Sequence, residues 1–184
     1  LNLLEENVGI QAEASLKKHI WFKGQMKMDQ AEQELLKLLE IENTNQYIIA
    51  TLVDFYLNSG QIELGMLQLN KLVELDPKNG TGLVLLAQFE FERNNIDKCK
   101  ELYSKAILSE NLMTEEVKEA LNFFINYTDT NSIIPTLNKV ETYYGENDTI
   151  MMLIGDVYIE NKEYKSAINS YERALSINPG NYLI

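Results

Sequence analysis

The chain has 184 residues, 45% apolar and 24% charged, which are proportions of a folded protein and argue against general disorder. Twenty-eight acids against sixteen lysines and arginines leave a net charge of −12, so nucleic-acid phosphates and anionic lipid surfaces are poor partners. One cysteine, Cys99, and one histidine, His19, exclude an internal disulfide and a His-rich metal site, and no apolar run approaches the ~20 residues of a membrane-spanning helix.

The sequence repeats with a period of 34. Five units run without insertion or deletion over residues 12–45, 46–79, 80–113, 114–147 and 148–181. Each carries two amphipathic stretches with apolar residues at helical spacing, parted by a polar turn, and so predicts one helix hairpin. In the first unit His19 meets Ala31 where the two helices cross, Phe22 and Met28 are the large residues, and the unit ends at Asn43 without a proline. In the second, bulky Val53 faces Gly65, so volume is conserved, with Tyr56, Gly60 and Pro77 following. The third pairs Ala87 with Cys99, then carries Tyr103 and Ala106; Glu90 stands where an aromatic is usual, and Phe89 or Phe91 beside it compensates.

The fourth unit departs from this logic. Leu121 and Ile133 are both large at the crossing, its turn is the polar run Thr128 to Ser132, and Pro135 falls inside the expected second helix. This predicts a second helix that starts late, with Ser132 as N-cap and Pro135 in the first turn, and that splays from the first. The fifth unit is the most regular, with helices expected over about 149–161 and 165–177. Gly155 and Ala167 are small at the crossing, Tyr158 and Tyr171 fill the space between helices, Ala174 is small beside the next unit, and Pro179 stops the second helix.

Gly155, Tyr158, Tyr164, Ala167, Tyr171, Ala174 and Pro179 stand where the tetratricopeptide repeat (TPR) pattern places Gly, Tyr, Tyr, Ala, Phe or Tyr, Ala and Pro, and the chain resembles that family through all five units. The resemblance implies an all-α fold, a right-handed α-α superhelix forming one solenoid domain. Residues 1–11, with Leu1 and Leu4 in second-helix register, and 182–184 read as pieces of flanking repeats, so the chain is expected to be part of a longer array.

The resemblance also implies a concave groove lined by first helices. Carried over by position, its residues are Tyr47, Asp54, Leu57 and Asn58, then Val84, Gln88 and Phe91, then Lys118, Asn122, Ile125 and Asn126, then Met152, Asp156 and Ile159. Asp54, Gln88, Asn122 and Asp156 form a polar row that suits hydrogen bonds to a peptide, beside an apolar stripe of Leu57, Phe91, Ile125 and Ile159. The opposing reading packs the stripe between repeats and leaves the row solvated. Lys118 and Asn122 are similar to two members of the carboxylate clamp of TPR co-chaperones, but Leu153 stands where the clamp needs asparagine. A basic or apolar segment therefore suits the groove better than an acidic tail.

Nothing in the sequence assembles a catalytic or cofactor site. His19 and Cys99 stand at helix crossings and read as packing residues, and Glu115, Glu116 and Glu119 cluster near a helix start, where negative charge complements the dipole. The expectation is a non-enzymatic protein–protein interaction scaffold without cofactor, metal, nucleic-acid partner or membrane insertion. Two other readings stand beside it: a self-assembling segment that oligomerises through uncapped ends, and the arm of an enzyme whose catalytic domain lies elsewhere. Compartment stays open between cytoplasm and bacterial periplasm.

Overall fold

A computed structural model describes residues 12–109, 112–127 and 130–180. The flanking pieces expected at 1–11 and 182–184, and the end-to-end association that rests on them, lie outside the described residues. Among the described residues the chain forms ten α-helices, one 3₁₀ turn and no strand. The helices are α1 (Ala12–Gly24), α2 (Met28–Ile41), α3 (Gln46–Asn58), α4 (Ile62–Leu75), α5 (Gly80–Glu92), α6 (Ile96–Ala106), α7 (Thr114–Tyr127), α8 (Ile134–Tyr144), α9 (Asp148–Glu160) and α10 (Tyr164–Ile177). Two compact units divide them, α1 to α4 in Leu1–Pro77 and α5 to α10 in Lys78–Ile184.

The hairpins close by a backbone device that recurs at one register position. Met26, Gly60, Asn94 and Lys162 adopt left-handed φ values of 59°, 74°, 60° and 61°. The next amide then reaches back across the turn: Lys27 N–H to the Phe22 carbonyl (3.0 Å), Gln61 to Tyr56 (2.9 Å), Asn95 to Glu90 (2.9 Å) and Glu163 to Tyr158 (2.8 Å). This left-handed closure satisfies carbonyls that a helix end leaves without partners, and it turns the chain in two residues. Only Gly60 and Asn94 are residue types that favour the conformation, so the sequence advertises half of these turns.

Asparagines start the first helices. Asn45 Oδ1 accepts from the Tyr47 and Ile48 amides, Asn79 Oδ1 from Gly82 and Asn147 Oδ1 from Ile150. α7 lacks this cap and replaces it with Glu116, whose carboxylate accepts from the Met113 amide at 2.8 Å. The helix-start role assigned to Glu116 is therefore a specific hydrogen bond as well as a charge–dipole contact.

Packing at the crossings follows the small-residue logic. His19 Nδ1 donates to the buried Ala31 carbonyl at 2.9 Å, and the Cys99 thiol donates to the Ala87 carbonyl at 3.2 Å. In each pair a short polar side chain on one helix reaches the backbone of the other, which a small partner leaves accessible. The glycines at the crossings are also tightly packed by larger side chains. A Cβ on Gly155 would lie 2.4 Å from the Tyr171 ring, and one on Gly65 would lie 2.8 Å from Leu57. Gly155 thus leaves room for the Tyr171 ring, and Gly65 for the Leu57 side chain.

The first unit's core joins Ala31, Leu35 and Leu38 to Ile48, Leu52, Phe55 and Tyr56. Between α1 and α2, Lys18 and Glu34 are both buried and approach to 3.9 Å, while Lys37 pairs with the same carboxylate at 2.8 Å. In the second unit Leu121, Phe124, Ile133, Leu137, Ile150 and Ile154 are fully buried.

Four second helices begin sixteen positions after their first helix, but α8 begins twenty after α7, so it is delayed as the sequence predicts. Its N-cap is Ile133 and not Ser132, because residues 130–132 form a 3₁₀ turn that carries the chain one residue further. Pro135 sits within the first helical turn, where its missing amide proton costs nothing. α7 runs close along α9 of the following hairpin far more extensively than along α8. With Leu121 and Ile133 both fully buried and both large, their shared hairpin is held apart.

Two stability changes follow. Gly155→Ala drives a methyl into the Tyr171 ring and should lower unfolding free energy by about 1–3 kcal/mol in urea denaturation. Lys162→Gly relieves an L-residue of left-handed backbone and should raise it by about 1 kcal/mol.

Candidate functional site

The groove residues expected from sequence meet most closely in the second unit. α5 presents Gln88 and Phe91, and α7 presents Asn122 and Asn126, around a pocket of about 480 Å³. Five further residues complete its lining: Glu92, Tyr103, Glu119, Phe123 and Tyr127. Tyr103 comes from α6, a second helix, and joins the lining through its contacts with Glu119 and Phe123.

Aromatic rings form one continuous wall. Phe91 and Tyr127 meet edge-to-face at 4.8 Å between centroids, Phe91 and Phe123 at 6.2 Å, and Phe123 and Tyr127 stack at 5.9 Å. Tyr103 lies 4.9 Å from Phe123 beneath them. Phe123 and Tyr103 are buried, whereas Phe91 and Tyr127 are 36% and 56% exposed and remain within reach of solvent.

Glu119 is the polar centre. Gln88 Nε2 donates to one of its oxygens at 2.8 Å and the Tyr103 hydroxyl to the other at 2.5 Å. Burial, reinforced by the adjoining Glu119 carboxylate, pushes the Tyr103 phenol far above its ordinary range, so it remains a donor at any physiological pH. The same pairing recurs with Tyr56 on Glu32 (2.7 Å) and Tyr171 on Asp156 (2.7 Å), whose phenols are raised by burial first and by the carboxylate second.

The remaining expected residues divide. Val84 is buried at 2% exposure and belongs to the core, since a β-branched apolar side chain at this point of α5 turns inward. Ile125 and Met152 are half-buried, and Ile159 is 41% exposed. Asp156 is exposed and accepts from the neutral Tyr171 hydroxyl, which orients it and leaves its charge in place, while Lys118 is paired with Glu115 at 2.9 Å. In the first unit Tyr47 is exposed, and Leu57 is half-buried over Gly65. Asn58 Nδ2 donates to Asp54 Oδ1 at 2.7 Å, with Lys23 3.6 Å from the same carboxylate. The polar row is thus largely engaged within the protein. Asn122 is its exposed member beside the pocket.

Sequence reasoning did not place Tyr103, Phe123 and Tyr127 in a site, and it read Glu119 as part of a helix-start cluster. The available signal was the i,i+4 spacing of Phe123 and Tyr127, which puts two rings on one face of α7. Among the described residues no group of three or more His, Cys, Asp or Glu is arranged to hold a metal ion, and no helix is long and apolar enough to cross a membrane.

Hairpins of this length, repeating at this period and stacked by small residues at their crossings, define an all-α helical-repeat protein of the solenoid class. Residues 149–181 match the family model described as tetratricopeptide repeat. Among curated sequences no protein matches. The chain is similar in structure to MamA, with a TM-score of 0.62 at 15% identity over 94% of this chain and 96% of that one. It is similar also to YrrB, described as a TPR protein with an unusual peptide-binding site, with a TM-score of 0.59 at 13% identity over 98% and 92%. A third likeness is to the P58(IPK) TPR domain, with a TM-score of 0.52 at 15% identity over 92% of this chain and 52% of that one. Residues 149–181 thus carry a tetratricopeptide repeat, and the chain shares the all-α fold of these TPR structures.

Cys99 takes no part in the pocket. Burial, with the nearby Glu90 carboxylate as a lesser cause, raises its thiol above the ordinary range, and its proton is committed to Ala87. The native protein should therefore resist alkylation by iodoacetamide at pH 8 and become labelled only in denaturant, as read by mass spectrometry.

Proposed function

We propose that the chain is a non-enzymatic protein-interaction module that binds an extended peptide or a helix of a partner along its first-helix face. The observation that carries this reading is the pocket itself. Four residues expected to contact a partner, Gln88, Phe91, Asn122 and Asn126, come from two successive first helices and converge on one partly apolar cavity. Amide groups beside exposed rings are what peptide recognition uses, because amides satisfy the peptide backbone while rings take its side chains. TPR proteins of this fold serve as interaction modules, and YrrB is described as having a peptide-binding site. Ile159 of α9 offers an exposed apolar group on the next first helix of the same unit.

Selection of peptides from a displayed random library on the intact chain tests the reading. Recovered peptides should bind the wild type and lose about tenfold or more in affinity, about 1.4 kcal/mol, on Phe91→Ala or Asn122→Ala. Peptides that bind both variants as well as the wild type would move the site away from this face.

A further inference from the structure

The pocket between α5 and α7 carries negative charge that the protein itself leaves unneutralised. Both partners of Glu119 are neutral donors, Gln88 and Tyr103, so its hydrogen bonds orient the carboxylate without cancelling its charge. A carboxylate has about four acceptor positions, and these two bonds occupy one on each oxygen. Glu92, the second acid of the lining, is exposed on α5. Among the described residues, none of the ion pairs of this chain involves Glu119 or Glu92. Two carboxylates therefore share a cavity with aromatic rings, and the chain around them carries a net charge of −12.

We propose that this pocket is an anchor for an arginine side chain of a bound peptide. The inference rests on the peptide-binding reading above and names the chemistry of the residue that enters. A neutral apolar side chain would leave Glu119 desolvated without compensation, which costs more than the contact returns. A guanidinium satisfies both surfaces: its planar face lies against the rings of Phe91 and Tyr127, and its N–H groups reach the open positions of Glu119, with Glu92 at the rim. An acidic side chain is repelled by both carboxylates. Tyr103 and Phe123 form a packed floor that limits depth, so the group enters side-on from the exposed Phe91–Tyr127 edge.

Titration of the intact chain with N-acetyl-arginine amide, followed by amide-resolved NMR, tests this directly, with N-acetyl-citrulline amide as the neutral isostere. The arginine probe should give saturable shifts at Phe91, Phe123 and Tyr127, and citrulline should bind at least about tenfold more weakly. Glu119→Gln should weaken the arginine probe by a similar factor. Should that substitution disturb the fold, Glu92→Gln at an exposed site should still weaken it several-fold. Equal binding of the two probes, or binding unchanged in every folded variant, overturns the proposal. The two readings fail separately. Selected peptides without a basic residue that bind at Phe91 and Asn122 would leave the interaction module standing and remove the arginine anchor. Arginine-amide binding with no peptide recovered would do the reverse.

Discussion

How closely the two helices of a hairpin approach one another governs the rest of this protein. Close approach needs one small residue at each crossing, and the chain uses the space so created in different ways. Beside Ala31 it admits His19, beside Ala87 it admits Cys99, and over Gly155 it lays the ring of Tyr171. In the first two cases a buried polar group finds a backbone carbonyl, which removes the penalty of burying it. In the third the hydroxyl at the far end of the ring reaches Asp156. A single substitution pattern thus controls packing and polar satisfaction together.

The fourth hairpin shows what happens without the small residue. Leu121 and Ile133 are both fully buried, α8 starts four residues beyond the common register, and α7 makes its close approach to α9. α7 is also tied towards α5 and α6 through Glu119, which collects hydrogen bonds from Gln88 and Tyr103. Those bonds and the ring cluster of Phe91, Phe123 and Tyr127 define a pocket where several expected groove residues meet. The candidate site therefore depends on contacts between successive first helices, which differ from the contacts inside a hairpin.

This difference explains what the sequence makes legible. A period of 34 and the small residues at the crossings announce the hairpins, the helix starts and the late onset of α8, because these depend on local spacing. The left-handed turns at Met26 and Lys162 are silent in sequence, since neither residue type favours that backbone and only the register reveals them. Val84 was misplaced for a related reason: a position that faces outward in a generic repeat turns inward here. Glu119, Phe123 and Tyr127 became a site only once α5 and α7 stood side by side, and no spacing within one helix encodes the Gln88–Glu119 bond across 31 residues.

The central claim is that crossing-position volume sets how tightly each hairpin is held. Native-state hydrogen exchange, resolved by residue, tests it most directly, because amides in a loosely packed helix open at lower free energy than those in a tightly packed one. The account predicts that α8, over Ile134–Tyr144, exchanges well before α2, α4, α6 and α10. Protection of α8 equal to that of the other second helices would contradict it.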